Sequence, residues 1–327
     1  PVKNRAGVAL DKELMLKGLL DDVKAAGVDI FAGTNVTGIE TKERGVVVTG
    51  NEEPYEGLFV IAADGVNSRL ARLMGMNKDR KFSHTIADRV WHLEGIEIPE
   101  VAGMAFILTA YGFFFITSTC HKGYYQLGAS TFDPRVDLEP KLNTLVYEDK
   151  IYSRWFKGAR KAAETTCVVN VLSPVREPYK NNVLFIGDSA WLMELSNSFA
   201  ILSGWKAANV ITLAIMDGKI NKEGIEPYLE WWEKKFYEPY GSGEFKPIEI
   251  QDFLSADDID YLAGLIKEPL VSTLNFYTMI NTLGTTFAEL FPVIQEERPE
   301  VMEKLMQIVN QMDEIEEKAR KAGFPNQ

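Results

Sequence analysis

The stretch from residue 182 to residue 209 constrains the fold of this 327-residue chain more than any other. It starts with a short apolar run, residues 183–186, which predicts a buried strand. A Gly-Asp turn ends the strand, and a long apolar helix follows. A strand, a tight turn and a helix N-terminus together suit a nucleotide-like ligand. The residues that we expect at this ligand are Gly187, Asp188, Ser196, Asn197 and Ser198.

Composition and charge narrow the classes of protein to consider. Apolar residues make up 46% of the chain and charged residues 25%, which is normal for a globular protein with a sizeable core. The net charge of -12 and the pI of about 4.9 argue against a nucleic-acid partner. We find no signal peptide and no run of about 18 uncharged apolar residues, so we expect no transmembrane segment and a cytoplasmic location.

The cysteines and histidines give no metal-binding pattern. Cys120 and Cys167 lie far apart in the sequence, and we expect both to be reduced thiols. His84, His92 and His121 form no pair at the spacing of a helical metal site. We therefore expect no metal centre.

A second motif has the same layout as the first. A short apolar strand, residues 58–62, runs into an Asp-Gly turn, and a short helix with a basic residue follows. Glycine permits close approach of the backbone to a ligand, and an Asn or Ser before a helix can cap it. An ordinary strand-to-helix turn is the alternative interpretation. The residues that we expect to bind a ligand here are Asp64, Gly65 and Arg69.

The order of the predicted elements indicates two interleaved parts. A helix and short strands come first, an antiparallel sheet follows, a strand and a helix of the first type return, and acidic helices end the chain. A nucleotide-binding domain with an inserted substrate domain has this order. We predict strands at residues 28–31, 34–40, 45–49, 58–62, 82–98, 104–108, 112–118, 124–131, 166–173 and 183–186, with a polar turn at 51–56. We predict helices at residues 10–26, 138–156 and 227–237, and through the tail from 248 to 324.

The two motifs together resemble those of FAD-dependent oxidoreductases built like p-hydroxybenzoate hydroxylase. Residues 62–68, AADGVNS, match the DG motif of that family, and residues 187–190, GDSA, match its GD motif. The resemblance covers residues 8–225. It implies FAD as the cofactor, with the Asp188 carboxylate accepting hydrogen bonds from ribityl hydroxyls. It also implies that the helix beyond the GD motif stabilises reduced flavin through its dipole.

The resemblance implies an α/β fold, α+β overall. It consists of an incomplete Rossmann-like FAD/NAD(P)-binding domain, an inserted antiparallel-sheet substrate domain and a C-terminal helical region. The boundaries that we predict are 1–75 and 179–222 for the FAD-binding domain, 76–178 for the substrate domain and 223–327 for the helical region.

Within that family the geranylgeranyl-reductase branch is the most similar. That branch carries Tyr-x-Trp-x-Phe-Pro and, later, Gly-x-Gly on strands that line its substrate cavity. Tyr111, Phe115 and Gly128 match this pattern. The Trp, the Pro and the second Gly are replaced by Phe113, Ile116 and Ser130. Aromatic strands that only pack a core are the alternative interpretation.

Two departures from the family pattern bear on function. The chain contains no GxGxxG, although the βαβ unit that carries it normally forms about the first 30 residues of the fold. We expect that unit to lie on another chain, or to have been trimmed or lost from this one, which begins with Pro1. The glycines that normally follow the GD motif are also missing, and Glu194 and Phe199 stand there instead. Their bulk and charge argue against monooxygenase chemistry, which needs space beside the flavin.

These features predict a flavin-dependent oxidoreductase, or a subunit of one, that acts on an apolar substrate. FAD would carry the redox chemistry, and NAD(P)H is a candidate electron donor. Reduction or dehydrogenation of a carbon–carbon bond, or electron transfer, fits better than hydroxylation. The candidate acid–base groups are Tyr111, Cys120 and His121, each with a structural role as the alternative. The residues that we expect to line the substrate cavity are Phe106, Phe113, Phe115 and Tyr124.

Three alternatives stay open. The chain could be a flavin-free scaffold or partner subunit that docks through its acidic tail, or an FAD-dependent aromatic monooxygenase. It could also associate peripherally with a membrane to reach a lipid. Residues 270–290 are apolar and aromatic, but they lack the basic face of an interfacial helix, which favours a helix that covers the substrate cavity. In the long helix after the GD motif, we expect Leu202 and Trp205 to be buried structural residues.

Overall fold

The computed structural model describes residues 10–43, 45–51, 53–98, 104–121, 123–192, 197–238, 241, 252–267 and 276–321, without the side chains of 276–283 and 311–321. The chain separates into two compact units. The first unit takes its residues from Pro1–Val28, Thr85–Val169 and Pro247–Glu314. The second unit takes its residues from Asp29–His84, Asn170–Lys246 and Ile315–Gln327. Each unit is therefore built from separate stretches of sequence, and the chain leaves the second unit and re-enters it.

The strands, in chain order, are β1 (Gly38–Thr41), β2 (Val46–Thr49), β3 (Pro54–Gly57), β4 (Val60–Ala62), β5 (Phe82–Glu94), β6 (Met104–Thr109), β7 (Gly112–Ser118), β8 (Tyr124–Thr131), β9 (Arg160–Leu172), β10 (Tyr179–Lys180) and β11 (Val183–Phe185). The α-helices are α1 (Lys12–Ala25), α2 (Arg69–Leu73), α3 (Glu139–Asn143), α4 (Ser198–Met216), α5 (Lys222–Trp232), α6 (Ala256–Leu265), α7 (Phe276–Glu297) and α8 (Pro299–Lys321).

The second unit contains two small sheets. In one, β1, β2 and β3 pair antiparallel in sequence order. In the other, the strand order is β10-β11-β4, and β11 runs parallel to β4. The side chains of β11 are fully buried, and an aromatic cluster of Phe199, Trp232 and Phe236 lies on α4, on α5 and on the π-helical turn that follows α5. Burial of a side chain of this size contributes about 1.5–3 kcal/mol.

The first unit is built on a five-stranded sheet with the order β6-β7-β8-β5-β9. Side chains alternate between its two faces, as they do in any strand. One face is a continuous core that packs against residues of α3 and of the turns after it. The buried members from the strands are Trp91, Leu93, Ile107, Phe114, Ile116, Leu127 and Ala129. A second cluster in this unit joins α6, α7 and α8 through Leu254, Leu262, Ile294, Val301 and Leu305.

Most predicted strands are present, with shifted ends, and two predictions were wrong. Residues 28–31 form no strand, and their side chains are mostly exposed, because an apolar run becomes a strand only where another strand pairs with it. Residues 51–56 are not only a polar turn, because Pro54–Gly57 forms β3 and pairs with β2. Pairing along β2 overrides the weak strand propensity of proline and glycine there.

The predicted helix at residues 138–156 is interrupted. It begins as α3, continues as a π-helical turn over Thr144–Glu148 and resumes as a 3₁₀ turn over Ser153–Phe156. Asp149 ends the π-helical turn with an extended backbone, and its carboxylate accepts hydrogen bonds from the backbone N–H groups of Ile151 and Tyr152. An aspartate that satisfies nearby N–H groups in this way stops a helix.

The prediction that Leu202 and Trp205 are buried was wrong. Trp205 is 64% exposed and Leu202 is 46% exposed. The buried side of α4 instead carries Phe199, Ser203 and Ala207, and then Val210, Ile211 and Ala214. A helix that is apolar all round gives no sequence signal for the side that packs. Among the described residues, α4 is also the one helix whose length and composition would suffice to cross a membrane, a criterion that core helices of globular proteins meet as well.

Candidate functional site

The two predicted motifs lie side by side in the second unit. β4 and β11 are adjacent parallel strands, with Val60 opposite Val183 and Ala62 opposite Phe185. The DG motif follows the end of β4, and the GD motif follows the end of β11. In parallel α/β sheets, ligands bind outside the carboxyl ends of the strands, which is the edge where both motifs stand.

The Asp-Gly turn after β4 is held by local hydrogen bonds. Asp64 Oδ2 accepts a hydrogen bond of 3.0 Å from the backbone N–H of Leu70. Ser68 caps α2, with its Oγ accepting from the N–H of Ala71 at 2.8 Å. Gly65 has a φ of 78°, and a Cβ at this position would meet no atom within 4 Å. Glycine is therefore required for its backbone conformation, and the space beside it is open. Arg69, the first residue of α2, is exposed.

The Gly-Asp turn after β11 is tied both to α4 and to β4. Gly187 has a φ of 54°, and its N–H donates to Ser203 Oγ of α4 at 3.0 Å. Ser189 Oγ lies 2.7 Å from the carbonyl oxygens of Ala62 and Ile186 and can donate to either. The fully buried Ser189 therefore fixes one motif against the other. Sequence reasoning missed Ser189 and Ser203, because their partners are distant in sequence.

The N-terminus of α4 follows the GD motif, as predicted. Asn197 is the N-cap residue, but its side chain makes no capping hydrogen bond, and Ser198 begins the helix. The predicted residues Ser196 and Glu194 lie outside the described residues. The first N–H groups of a helix and its positive dipole end favour a negatively charged or polar ligand. Asp188 is half-buried in the 3₁₀ turn Gly187–Ser189 that precedes α4.

The family match identifies the cofactor that a site in this chain has to fit. Residues 3–198 match the family described as FAD dependent oxidoreductase. The chain belongs to this family. FAD is therefore the cofactor that the site must fit. Carboxylates can accept hydrogen bonds from its hydroxyls, and the open glycine turn leaves space beside the backbone. The helix N-terminus favours its negative charge.

Curated relatives of the chain carry the names of lipid reductases. It is 22% identical over 299 residues to digeranylgeranylglycerophospholipid reductase 2 of Methanosphaera stadtmanae, covering 85% of this chain and 72% of the relative. It is 23% identical over 280 residues to digeranylgeranylglycerophospholipid reductase of Methanococcus vannielii, covering 81% of this chain and 70% of the relative.

Solved structures show the same fold at low identity. A geranylgeranyl bacteriochlorophyll reductase-like protein from Thermoplasma acidophilum superposes with a TM-score of 0.65 and 18% identity, over 94% of this chain and 78% of that one. A flavin-dependent halogenase superposes with a TM-score of 0.55 and 18% identity, over 80% of this chain and 53% of that one. The chain thus spans about half of the halogenase.

The residues predicted to line a substrate cavity share one face of the sheet in the first unit. Phe106 lies opposite Phe115, and Leu108 lies opposite Phe113. Phe106 and Phe113 stack with ring centroids 5.5 Å apart. We call this side of the sheet the aromatic face. The predicted members are Phe106, Phe113, Phe115 and Tyr124, and each points away from the core on the other face. Their contact with a substrate stays a prediction.

Gly128 leaves room for an aromatic ring on this face. It lies opposite Phe115, and a Cβ at Gly128 would overlap the Phe115 ring. The glycine that matches the geranylgeranyl-reductase pattern is therefore required by packing within the sheet.

Of the predicted acid–base groups, Tyr111 lies apart from Cys120 and His121. Tyr111 lies in the tight turn between β6 and β7, where its hydroxyl donates to Asp149 Oδ2 at 2.7 Å. Burial and the neighbouring carboxylate raise the pKa of Tyr111, so the phenol keeps its proton. Cys120 and His121 lie in the loop at the other end of β7, about 20 Å along the strand. The catalytic roles of these residues stay predictions.

His121 instead contacts the start of α1. Its Nε2 lies 3.0 Å from Asp11 Oδ2, while Asp11 Oδ1 caps the helix by accepting from the N–H of Leu14. The ligand-type atoms of Asp11, Cys120 and His121 lie within 4.8 Å of one another. The Asp11 carboxylate already caps α1 and pairs with His121. These two contacts explain why the three residues lie together, because they hold the loop against the start of α1.

Proposed function

We propose that this chain is an FAD-dependent reductase of carbon–carbon double bonds in an apolar, prenyl-type lipid. The aromatic face supports this class of substrate. The rings of Phe106, Phe113 and Phe115 lie on one side of the sheet, and the core lies on the other side. The names of the two reductase relatives support the same class. Each methylene group of a prenyl chain buried against such rings contributes about 0.8 kcal/mol.

The second unit would hold the cofactor. FAD, when bound, supplies the hydride that reduces the double bond. Asp188 would accept hydrogen bonds from ribityl hydroxyls, and Asp64 would support the turn that keeps Gly65 open beside the cofactor. The first N–H groups of α4 would stabilise negative charge on the reduced ring. NAD(P)H remains our proposed electron donor.

A second chain, or a further segment, carrying GxGxxG is part of this proposal. Among the described residues β4 stands at the edge of its sheet, and Leu58 and Ile61 beside that edge are exposed. An edge strand presents unpaired N–H and C=O groups that another strand can pair with. A βαβ unit whose first strand pairs with β4 would bring its glycine turn to the same edge as Asp64.

The proposed location is the cytoplasm, with peripheral contact to a membrane where the lipid is taken up. The apolar segment at residues 270–290 that we expect to cover the substrate cavity is only partly described, because side chains before residue 284 lie outside the described residues. In the described part, Phe287 and Leu290 pack against the core of the helices α6 to α8. These residues support a role for the segment within the protein.

The proposal is tested by anaerobic reduction of a digeranylgeranyl glycerophospholipid. The protein is loaded with FAD in the presence of the GxGxxG-bearing chain or segment that the proposal requires, reduced with dithionite and mixed with the lipid. We expect mass spectrometry to show a gain of two hydrogen atoms for each reduced double bond, together with reoxidation of the flavin. A bound, reduced flavin that leaves the lipid unchanged would overturn the proposed substrate class.

A further inference from the structure

Three side chains of the types that bind metal ions meet at the surface of the first unit. Cys120 and His121 lie in the loop after β7, and Asp11 is the N-cap residue of α1. One ligand atom from each residue lies within 4.8 Å of the other two. All three residues belong to the first unit. Sequence spacing gave no signal of this group, because Asp11 and His121 are 110 positions apart.

The distances between these atoms are close to those around a zinc ion. Zinc lies about 2.0–2.3 Å from carboxylate oxygen, imidazole nitrogen and thiolate sulfur, so two such atoms in a tetrahedral site are about 3.3–3.6 Å apart. Asp11 Oδ2 and His121 Nε2 are 3.0 Å apart. Because Cys120 Sγ also lies within 4.8 Å of a ligand atom on each of them, side-chain shifts of about 1 Å admit the ion.

Hydrogen bonds hold two of these residues in place without using the atoms that face each other. Asp11 Oδ1 accepts from the N–H of Leu14 at 3.0 Å, which caps α1 and leaves Oδ2 beside His121. The backbone N–H of His121 donates to Thr119 Oγ1 at 3.2 Å, and its carbonyl oxygen accepts from the N–H of Tyr124 at 3.1 Å. The local fold of the loop and of the helix cap therefore brings the ligand atoms together.

The three donor types select zinc among the common divalent ions. Thiolate and imidazole suit zinc, whereas magnesium and calcium take oxygen ligands. Among the described residues, Asp11 pairs with no lysine or arginine, and Cys120 is a free, exposed thiol. The side chain of His121 is 65% exposed, so an ion can enter from solvent. Three protein ligands leave the fourth tetrahedral position to water.

We propose that Asp11, Cys120 and His121 form a zinc site that fastens α1 to the loop after β7. This helix has no buried residue, so apolar burial does little to hold it. Without the ion, Asp11 and His121 are linked as an exposed pair, and such pairs contribute little to stability. When zinc binds, the Cys120 thiol releases its proton to solvent, and the ion bonds to sulfur, imidazole nitrogen and carboxylate oxygen. The site needs neither FAD nor a lipid.

The first test identifies the ligands by spectroscopy. The protein is treated with EDTA and titrated with Co²⁺, whose bond to a thiolate gives a charge-transfer band in the near ultraviolet. We expect this band, the visible absorption of a tetrahedral ion, and displacement of Co²⁺ by Zn²⁺. The band should be absent in Cys120→Ser and unchanged in Cys167→Ser, which removes another exposed thiol. A wild-type protein without the band, or a band that survives in Cys120→Ser, would overturn the site.

The second test measures zinc affinity by competition with a chromophoric chelator. We expect the dissociation constant to rise about tenfold or more in Cys120→Ser, His121→Ala and Asp11→Asn. Asparagine caps a helix about as well as aspartate, so Asp11→Asn keeps the cap and weakens only the ligand. His92→Ala and Asp22→Asn, which change other residues of the first unit, should bind zinc as wild type does.

The third test measures whether the ion holds α1. We expect Zn²⁺ to slow hydrogen exchange at the backbone N–H groups of α1 in the wild-type protein and not in Cys120→Ser. Zinc binding with wild-type affinity in Cys120→Ser or Asp11→Asn would show adventitious binding elsewhere and overturn the site. Exchange in α1 that stays unchanged when the wild-type protein binds zinc would overturn the fastening of the helix.

Discussion

We expect the Asp188 side chain to contribute more to FAD binding than any other described side chain. Loss of a hydrogen bond to a charged group costs about 1.5–3 kcal/mol, which corresponds to about a 10- to 100-fold weaker affinity. We therefore expect Asp188→Ala to raise the dissociation constant of FAD by about that factor, measured by quenching of flavin fluorescence. Asp29→Ala, which removes an exposed aspartate from the same unit, serves as the matched control. Equal affinity in Asp188→Ala and wild type would refute the role of the GD motif.

Ser189, next to Asp188, has a structural role. Its buried hydroxyl joins the turn after β11 to the carbonyl group of Ala62 at the end of β4. We expect Ser189→Ala to lower the free energy of unfolding by about 1–3 kcal/mol in urea denaturation, because a buried acceptor loses its donor. Ser153→Ala, at the start of a 3₁₀ turn in the first unit, should change it little. An unchanged midpoint in Ser189→Ala would show that the two motifs are joined without this bond.

The residue types in the sequence predicted the two tight turns but not the hydrogen bonds that join them. Gly65 and Gly187 were singled out as glycines of tight turns, and both have the positive φ that favours glycine. Ser189 gave no such signal, because the carbonyl that it binds lies 127 residues earlier. The pairing of Asp11 with His121 was missed for the same reason, since the two are 110 positions apart.

At the scale of elements, the strands of the antiparallel sheet were predicted most closely. The strands β6, β7 and β8 lie close to their predicted ranges, and the aromatic residues at alternate positions share a face. The short strands and the long apolar helix were less predictable. A strand exists only with a partner, as residues 28–31 show, and α4 is apolar on every side, so the packing side was set by tertiary contacts.

Packing between Gly128 and Phe115 provides a test at the level of the sheet. A methyl group at Gly128 would overlap the ring of Phe115, so we expect Gly128→Ala to lower the free energy of unfolding by about 1–3 kcal/mol. Adding Phe115→Leu should recover part of this loss in the double variant, as measured in urea. Gly264→Ala, in the open part of α6, should be neutral or stabilising. An equal loss with and without Phe115→Leu would contradict the contact.

Asp258 joins the helices α6 and α8. It is 1% exposed and binds Lys304 at 2.6 Å and Arg298 at 3.1 Å, while its side chain completes the capping box of α6 with Ser255. We expect Asp258→Asn to lower the free energy of unfolding by about 2–3 kcal/mol. Asp260→Asn, on the exposed side of α6, should have little effect.

The contribution of Asp258 should depend on pH in a defined direction. Burial opposes its ionisation, but the hydrogen bonds from Lys304 and Ser255 and the charge of Lys304 outweigh burial and lower the pKa of Asp258 to about 2. Because an unfolded aspartate has a pKa of about 4, the contribution is fully present above about pH 4 and is lost as the pH falls towards 2. The difference in unfolding free energy between wild type and Asp258→Asn should shrink over that range. A constant difference would contradict the ion pairs.

At the scale of the whole molecule, the two motifs were enough to predict the family and the fold class. The family match and the structural neighbours confirm both predictions. The predicted domain boundaries stay a prediction, although the chain does leave and re-enter the second unit. The substrate could not be predicted from the two motifs, because they lie at the ends of β4 and β11 and not on the aromatic face.

The exposed apolar surfaces were also beyond prediction. The apolar side chains of α1, among them Leu14, Leu19 and Val23, are exposed in the described structure. The same holds for Trp205 and Met216 on α4. A periodic apolar pattern shows that a helix has a face to bury, but it does not show which segment covers that face.

The visible spectrum of the purified protein shows whether the ends of β4 and β11 hold FAD. The protein is incubated with excess FAD, together with the GxGxxG-bearing chain or segment that the proposal requires, and passed through a gel-filtration column. We predict that the absorbance of flavin elutes with the protein and that Asp188→Ala reduces it. A folded wild-type protein that elutes colourless under these conditions would contradict the FAD site at the ends of β4 and β11.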